Sequence, residues 1–131
     1  MVIGATAIQL WGSSRATREV DLRIDATHDN AERVLLALSG LPFGVAHRLI
    51  PDDILSRGVT MIGDTPNVDV LTRAWNVSWA EANHEIAVFE VEDVPIPTIS
   101  LALLIASWRA GRAQDIADLA VLDAIQAIRG I

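Results

Sequence analysis

The sequence predicts an α/β (α+β) domain built on a central, mixed β-sheet, and three observations predict it. Residues 19–25, EVDLRID, alternate strictly between charged and apolar, the period of a strand with one buried face. Further strand-like runs at 1–3, 58–62, 67–71, 85–91 and 94–96 are interleaved with helical stretches, which gives helices packed on a sheet. The chain has 131 residues, 51% of them hydrophobic, a size for one domain (residues 1–131) with a sizeable core.

Each element has its own local reason. Met1 to Ile3 is a short apolar strand that stops at Gly4. Ala5 to Trp11 is Ala-rich and forms one or two helical turns, broken by Gly12-Ser13-Ser14. After the Glu19–Asp25 strand, Thr27 or Asp29 caps a helix over Asn30 to Leu38. Residues 45–57 carry no clear period, although Pro51-Asp52-Asp53 suits the opening of a short helix. Gly58 to Ile62 and Asn67 to Leu71, joined by Gly63-Asp64-Thr65-Pro66, form a hairpin. Ser78, with Glu81 three residues on, opens a helix reaching about Asn83. Glu85 to Val91 and Val94 to Ile96 are strands around a turn at Glu92-Asp93. Thr98 or Ser100 caps a helix to about Arg109, and Gly111 separates it from a last helix, about Ala113 to Ile128.

The composition narrows the function. The net charge is -7, and all ten basic residues are Arg. Broad, non-specific DNA or RNA binding depends on neutralising phosphates, so an acidic chain argues against it. A small nucleotide carried with Mg²⁺ remains open, and any side-chain cation that meets a phosphate must be Arg. There is no cysteine, hence neither a disulfide framework nor a thiolate metal site. No apolar run spans a bilayer and no basic leader precedes the first strand. These features predict a cytoplasmic protein that does not enter membranes.

The acids are the chemistry-bearing residues. Glu19 and Asp21 leave the same strand face with Cα atoms roughly 6.5–7 Å apart. Two carboxylates so placed can reach one hard cation or straddle two, and Mg²⁺ (or Mn²⁺) takes one or two carboxylates with phosphate and water. Asp69 lies between Val68 and Val70, on the face opposite the valines, and can supply a third acid. The same alternation also describes any sheet with a solvated face, in which Arg23 pairs with its neighbours. Gly4-Ala5-Thr6 makes a strand-to-helix turn of little bulk, and backbone N–H groups at a helix start receive phosphate.

In combination these features resemble the nucleotidyltransferase fold of the polymerase β superfamily, and more closely the small bacterial nucleotidyltransferases of toxin–antitoxin and abortive-infection systems. The residues that carry the resemblance are Ile3-Gly4-Ala5, then Gly12, then Arg15-Ala16-Thr17-Arg18-Glu19-Val20-Asp21, followed by Asp69 in VDVL and LLIASWRAGRAQDIADL from Leu103 to Leu119. The resemblance covers nearly the whole chain. It implies that Glu19, Asp21 and Asp69 are the catalytic, metal-holding acids. It implies that Gly4 and Ala5, with Arg15 and Thr17, hold the triphosphate of an NTP. The implied reaction moves a nucleoside monophosphate to a hydroxyl of RNA, of a partner protein or of a small molecule.

The chain departs from the family pattern at three positions. Ala5 replaces a second Gly or Ser, Glu19 replaces the first Asp, and Trp108 stands where a Lys is expected. The family's helix before the first strand has no counterpart here, so either the start is misplaced or an uncovered apolar face is used in a homodimer. Two readings therefore stand: an Mg²⁺-dependent transferase, or an inactive relative acting as a binding or dimerisation module.

The remaining candidates divide in the same way. Arg112, Asp115 and Asp118 recur at i, i+3, i+6. They either form a structural cluster that locks the last two helices to the sheet, with Arg109 as a further ion-pair partner, or let Arg112 contact substrate or phosphate. Trp11, Trp75, Trp79 and Trp108 are core or interface anchors, with Trp75 or Trp79 as a stacking surface for a base. His28, His47 and His84 lack metal-ligand spacing and are read as surface or capping residues.

Overall fold

The computed structural model describes every residue except Arg15, Trp75, Asn76 and residues 110–112, and describes residues 113–116 by their backbone alone. The fold is mixed α/β, with both parallel and antiparallel strand pairing. Contacts group the chain into two units, residues 18–79 and residues 1–17 with 80–131. Among the described residues no helix is long and apolar enough to cross a membrane.

In the unit of residues 18–79, β2 (Glu19–Arg23) pairs in parallel with β4 (Asn67–Leu71), and β4 pairs antiparallel with β3 (Val59–Ile62). The period-two pattern finds its buried face. Val20 lies opposite Val68, which in turn lies opposite Ile62, and Leu22 lies opposite Val70, which lies opposite Thr60. Helices α2 (His28–Leu38) and α3 (Pro51–Leu55) cover that face through Ala31, Leu35 and Ile54. Thr27, not Asp29, caps α2: its Oγ1 accepts from the Asn30 N–H at 3.2 Å, and the helix starts at His28. The stretch without a clear period resolves into a single 3₁₀ turn at Val45–Arg48 followed by α3, with Pro51 at the first helical position.

One residue ties these pieces together. Asp64, in the β3–β4 turn and 6% exposed, accepts from the N–H groups of Thr65 (2.7 Å), Phe43 (3.0 Å) and Val45 (3.2 Å). Burial alone would raise its pKa. The backbone donors of Phe43, Thr65, Val45 and Gly44 together outweigh burial and hold it below the ordinary carboxylate value.

In the other unit, β1 (Val2–Ile3) runs parallel to β6 (Val94–Thr98), and β6 pairs antiparallel with β5 (Ala87–Val91). Helix α1 (Gly4–Trp11) begins directly at Gly4, whose φ of 66° suits glycine. It ends at Gly12, where φ is 126° and the N–H bonds back to Gln9 at 3.0 Å. Trp11 is a core anchor as expected: its Nε1 donates to the Ile99 carbonyl at 3.0 Å and its ring meets Phe89 edge-on. Helix α4 (Trp79–His84) leads into the β5–β6 hairpin. Ser100, not Thr98, caps α5 (Leu101–Trp108), and α6 (Ala113–Arg129) closes the chain.

Replacing Asp64 with Asn should lower the melting temperature and speed amide exchange at Phe43 and Val45. Its folded-state pKa is depressed, so the unfolded chain takes up the proton first. The stabilisation is present above the ordinary carboxylate pKa, about 3.9, and is lost as pH falls below it. Urea midpoints measured from pH 5 downward should therefore fall more steeply in the wild type than in Asp64→Asn.

Candidate functional site

The register that buries the valines also brings the acids together. Asp21 is the direct partner of Asp69 across the parallel β2–β4 pair, and Glu19 is the partner of Asn67. Residues 19, 21 and 23 of β2 therefore share their sheet face with 67, 69 and 71 of β4. Beyond Asp69, Met61 of β3 is 78% exposed, so the acid face stays open on that side.

The electrostatics follow from the spacing. The Asp21 pKa is raised to about 6. Partial burial is the largest cause, the Asp69 charge is next, then the Glu19 charge, and a hydrogen bond between the Asp21 and Asp69 carboxyls adds to these. Two acids forced side by side share a proton at mildly acidic pH. The donor set is entirely hard oxygen, the type that Mg²⁺ or Mn²⁺ accepts.

Arg23 continues the same face, yet it is 3% exposed. Its Nη1 donates to the Ala74 carbonyl at 3.5 Å, so the backbone after β4 receives one of its N–H groups.

The other expected site residues fall in the unit of residues 1–17 and 80–131 or outside the described residues. Gly4 and Ala5 form the first turn of α1, whose N-cap Ile3 contributes no side-chain hydrogen bond. Thr17 precedes β2 and is partly buried. Arg15 and Arg112 lie outside the described residues. Trp108 donates from Nε1 to Asp118 Oδ2 at 3.1 Å, and Asp118 is 5% exposed. This bond joins α5 to α6 and gives Asp118 a structural partner.

One grouping escaped the sequence reading. His28, Asp29 and Glu32 present ligand atoms within 4.8 Å of one another, all exposed, near the start of α2. The spacing i, i+1, i+4 was the available signal, and it is also that of an ordinary helix start, where acids favour the dipole. His28 Nδ1 and Glu32 Oε2 are 3.9 Å apart. Nothing beyond their proximity marks this exposed trio as a metal site.

Neither a comparison with protein-family models nor one with curated protein sequences finds a match to this chain.

Carboxyl ¹³C NMR should find Asp21 titrating near pH 6, and Asp69→Asn should move it down towards the ordinary value by removing the nearer charge. Because the folded pKa is raised, the folded state holds the extra proton. Wild-type stability should decline as pH rises from about 4 to 6, and Asp69→Asn should flatten that decline.

Proposed function

We propose that the chain is a nucleotidyltransferase that moves a nucleoside monophosphate from an NTP to a hydroxyl. The observation that supports it most is the Asp21–Asp69 pairing across the parallel strands, with Glu19 two residues along the same face. The acids that a sequence resemblance singles out thus meet on one open face of one sheet.

Glu19, Asp21 and Asp69 would hold Mg²⁺ (or Mn²⁺), which supplies charge neutralisation for the triphosphate and helps ionise the acceptor hydroxyl. Asp69 accepts the hydroxyl proton. The acceptor oxygen forms a bond to the α-phosphorus, the bond from that phosphorus to the bridging oxygen breaks, and pyrophosphate leaves. The raised pKa of Asp21 means that the pair must shed its shared proton for the cation to bind. The triphosphate role of Gly4, Ala5, Arg15 and Thr17 belongs to the same reading and rests on the resemblance. So does a substrate contact by Arg112. The acceptor class (RNA, a partner protein or a small molecule), a cytoplasmic toxin–antitoxin or phage-defence setting, and a homodimer rest on it as well.

The Trp108–Asp118 bond favours a second reading, because the family's Lys position is given over to joining two helices. On that reading the fold is a binding or dimerisation module without turnover.

Calorimetry with each NTP separates the two. The transferase reading expects binding that requires Mg²⁺, strengthens from pH 5 to 7 and is lost in Asp21→Asn. It also expects label to pass from an α-labelled NTP to an acceptor. Absence of Mg²⁺-dependent heat with all four NTPs contradicts it and leaves the module.

A further inference from the structure

Past the acid pair, the same face of β2 runs on to Arg23, and Asp25 follows in the alternation. The two strands are parallel, and ligands of open parallel sheets sit beyond the carboxyl ends of the strands. A cleft of about 370 Å³ lies at that end, lined among others by Arg23, Asp25, Arg73, Ser78 and Trp79. This is within the range of small-molecule sites, roughly 300–1,000 Å³.

The lining is chemically mixed in a specific way. Arg23, 3% exposed, keeps its charge at any working pH, so it puts a fixed positive charge into a low-dielectric floor. Arg73 is exposed at the rim, its guanidinium resting 3.6–4.0 Å from where a Cβ would stand at Gly58. Trp79, half-buried at the start of α4, adds an indole. Asp25 adds a carboxylate.

A bare anion would use the two guanidinium groups, gain nothing from Trp79 and be repelled by Asp25. A neutral aromatic would meet neither guanidinium charge. We propose that this cleft binds a nucleoside monophosphate unit. Arg23 and Arg73 supply charge for the phosphate, Trp79 stacks on the base, and Asp25 accepts from a ribose hydroxyl or a ring N–H. Base stacking on an aromatic side chain is tolerant of sequence, so the cleft recognises the class and not one base. The ligand requires no metal; that its occupant serves as the acceptor in transfer rests on the transferase reading.

The test is titration of the full chain with GMP, AMP and CMP in EDTA, followed by tryptophan fluorescence and calorimetry. Saturable binding is expected, weakened about tenfold or more by Arg73→Ala and by Trp79→Ala, retained in Trp79→Phe, and unchanged in Asp21→Asn. Circular dichroism checks that the variants fold. Absence of saturable binding by all three nucleotides overturns the proposal. Inorganic phosphate binding as tightly as the nucleotides, with Trp79→Ala without effect, also overturns it. A 5′-phosphorylated hexaribonucleotide identifies the source: a free nucleotide if the monophosphates bind as well as the oligomer, an RNA end if the oligomer binds at least tenfold tighter. Because EDTA removes divalent cations, failure of Mg²⁺-dependent NTP binding leaves this result intact, and the reverse also holds.

Discussion

The parallel pairing of β2 with β4, in the register that sets Asp21 beside Asp69, is the constraint on which the rest of the account depends. A strand turns alternate side chains to opposite faces, so one register decides both faces at once. Val20, Leu22, Val68 and Val70 must meet the helices on one side. That requirement leaves Glu19, Asp21 and Asp69 together on the other. A slip of one residue would put Asp21 into the apolar core and the valines into water. The core therefore enforces an arrangement of like charges that repel.

Asp64 shows the opposite use of a carboxylate. It is less exposed than Asp21, yet its pKa is lowered, because backbone N–H groups surround its oxygens. Asp21 faces another acid, and its pKa is raised. Within one unit of the chain the same side chain is an anchor in one place and a strained, proton-holding group in another. What surrounds the oxygens decides which, and it is the strained pair that suits a cation.

Much of this was legible in the sequence, for reasons that differ by element. The alternation at 19–25 and at 67–71 marked the strands and their faces, because burial acts on every second residue. The β3–β4 hairpin followed from a short turn between two apolar runs, and the short helix from Pro51. Caps were narrowed to Thr27 or Asp29 and Thr98 or Ser100, and only backbone geometry chose between them. The Asp21–Asp69 register was not readable from spacing: 48 residues of chain separate the two, and no local pattern encodes a parallel partner. The role of Asp64 was hidden because its partners are backbone groups of a segment without a period. The Trp108–Asp118 bond was hidden because an indole N–H gives no sequence signal. The phosphate turn at Gly4-Ala5 and the three acids were joined by resemblance, and geometry bears on the acids alone.

On the transferase reading the paired acids, and not the exposed trio on α2, hold a divalent cation. Paramagnetic broadening of amide resonances by sub-stoichiometric Mn²⁺ tests this directly. The account predicts broadening centred on Glu19, Val20, Asp21 and Asp69, removed by Asp21→Asn. Broadening centred on His28, Asp29 and Glu32, or none at either place, would contradict it.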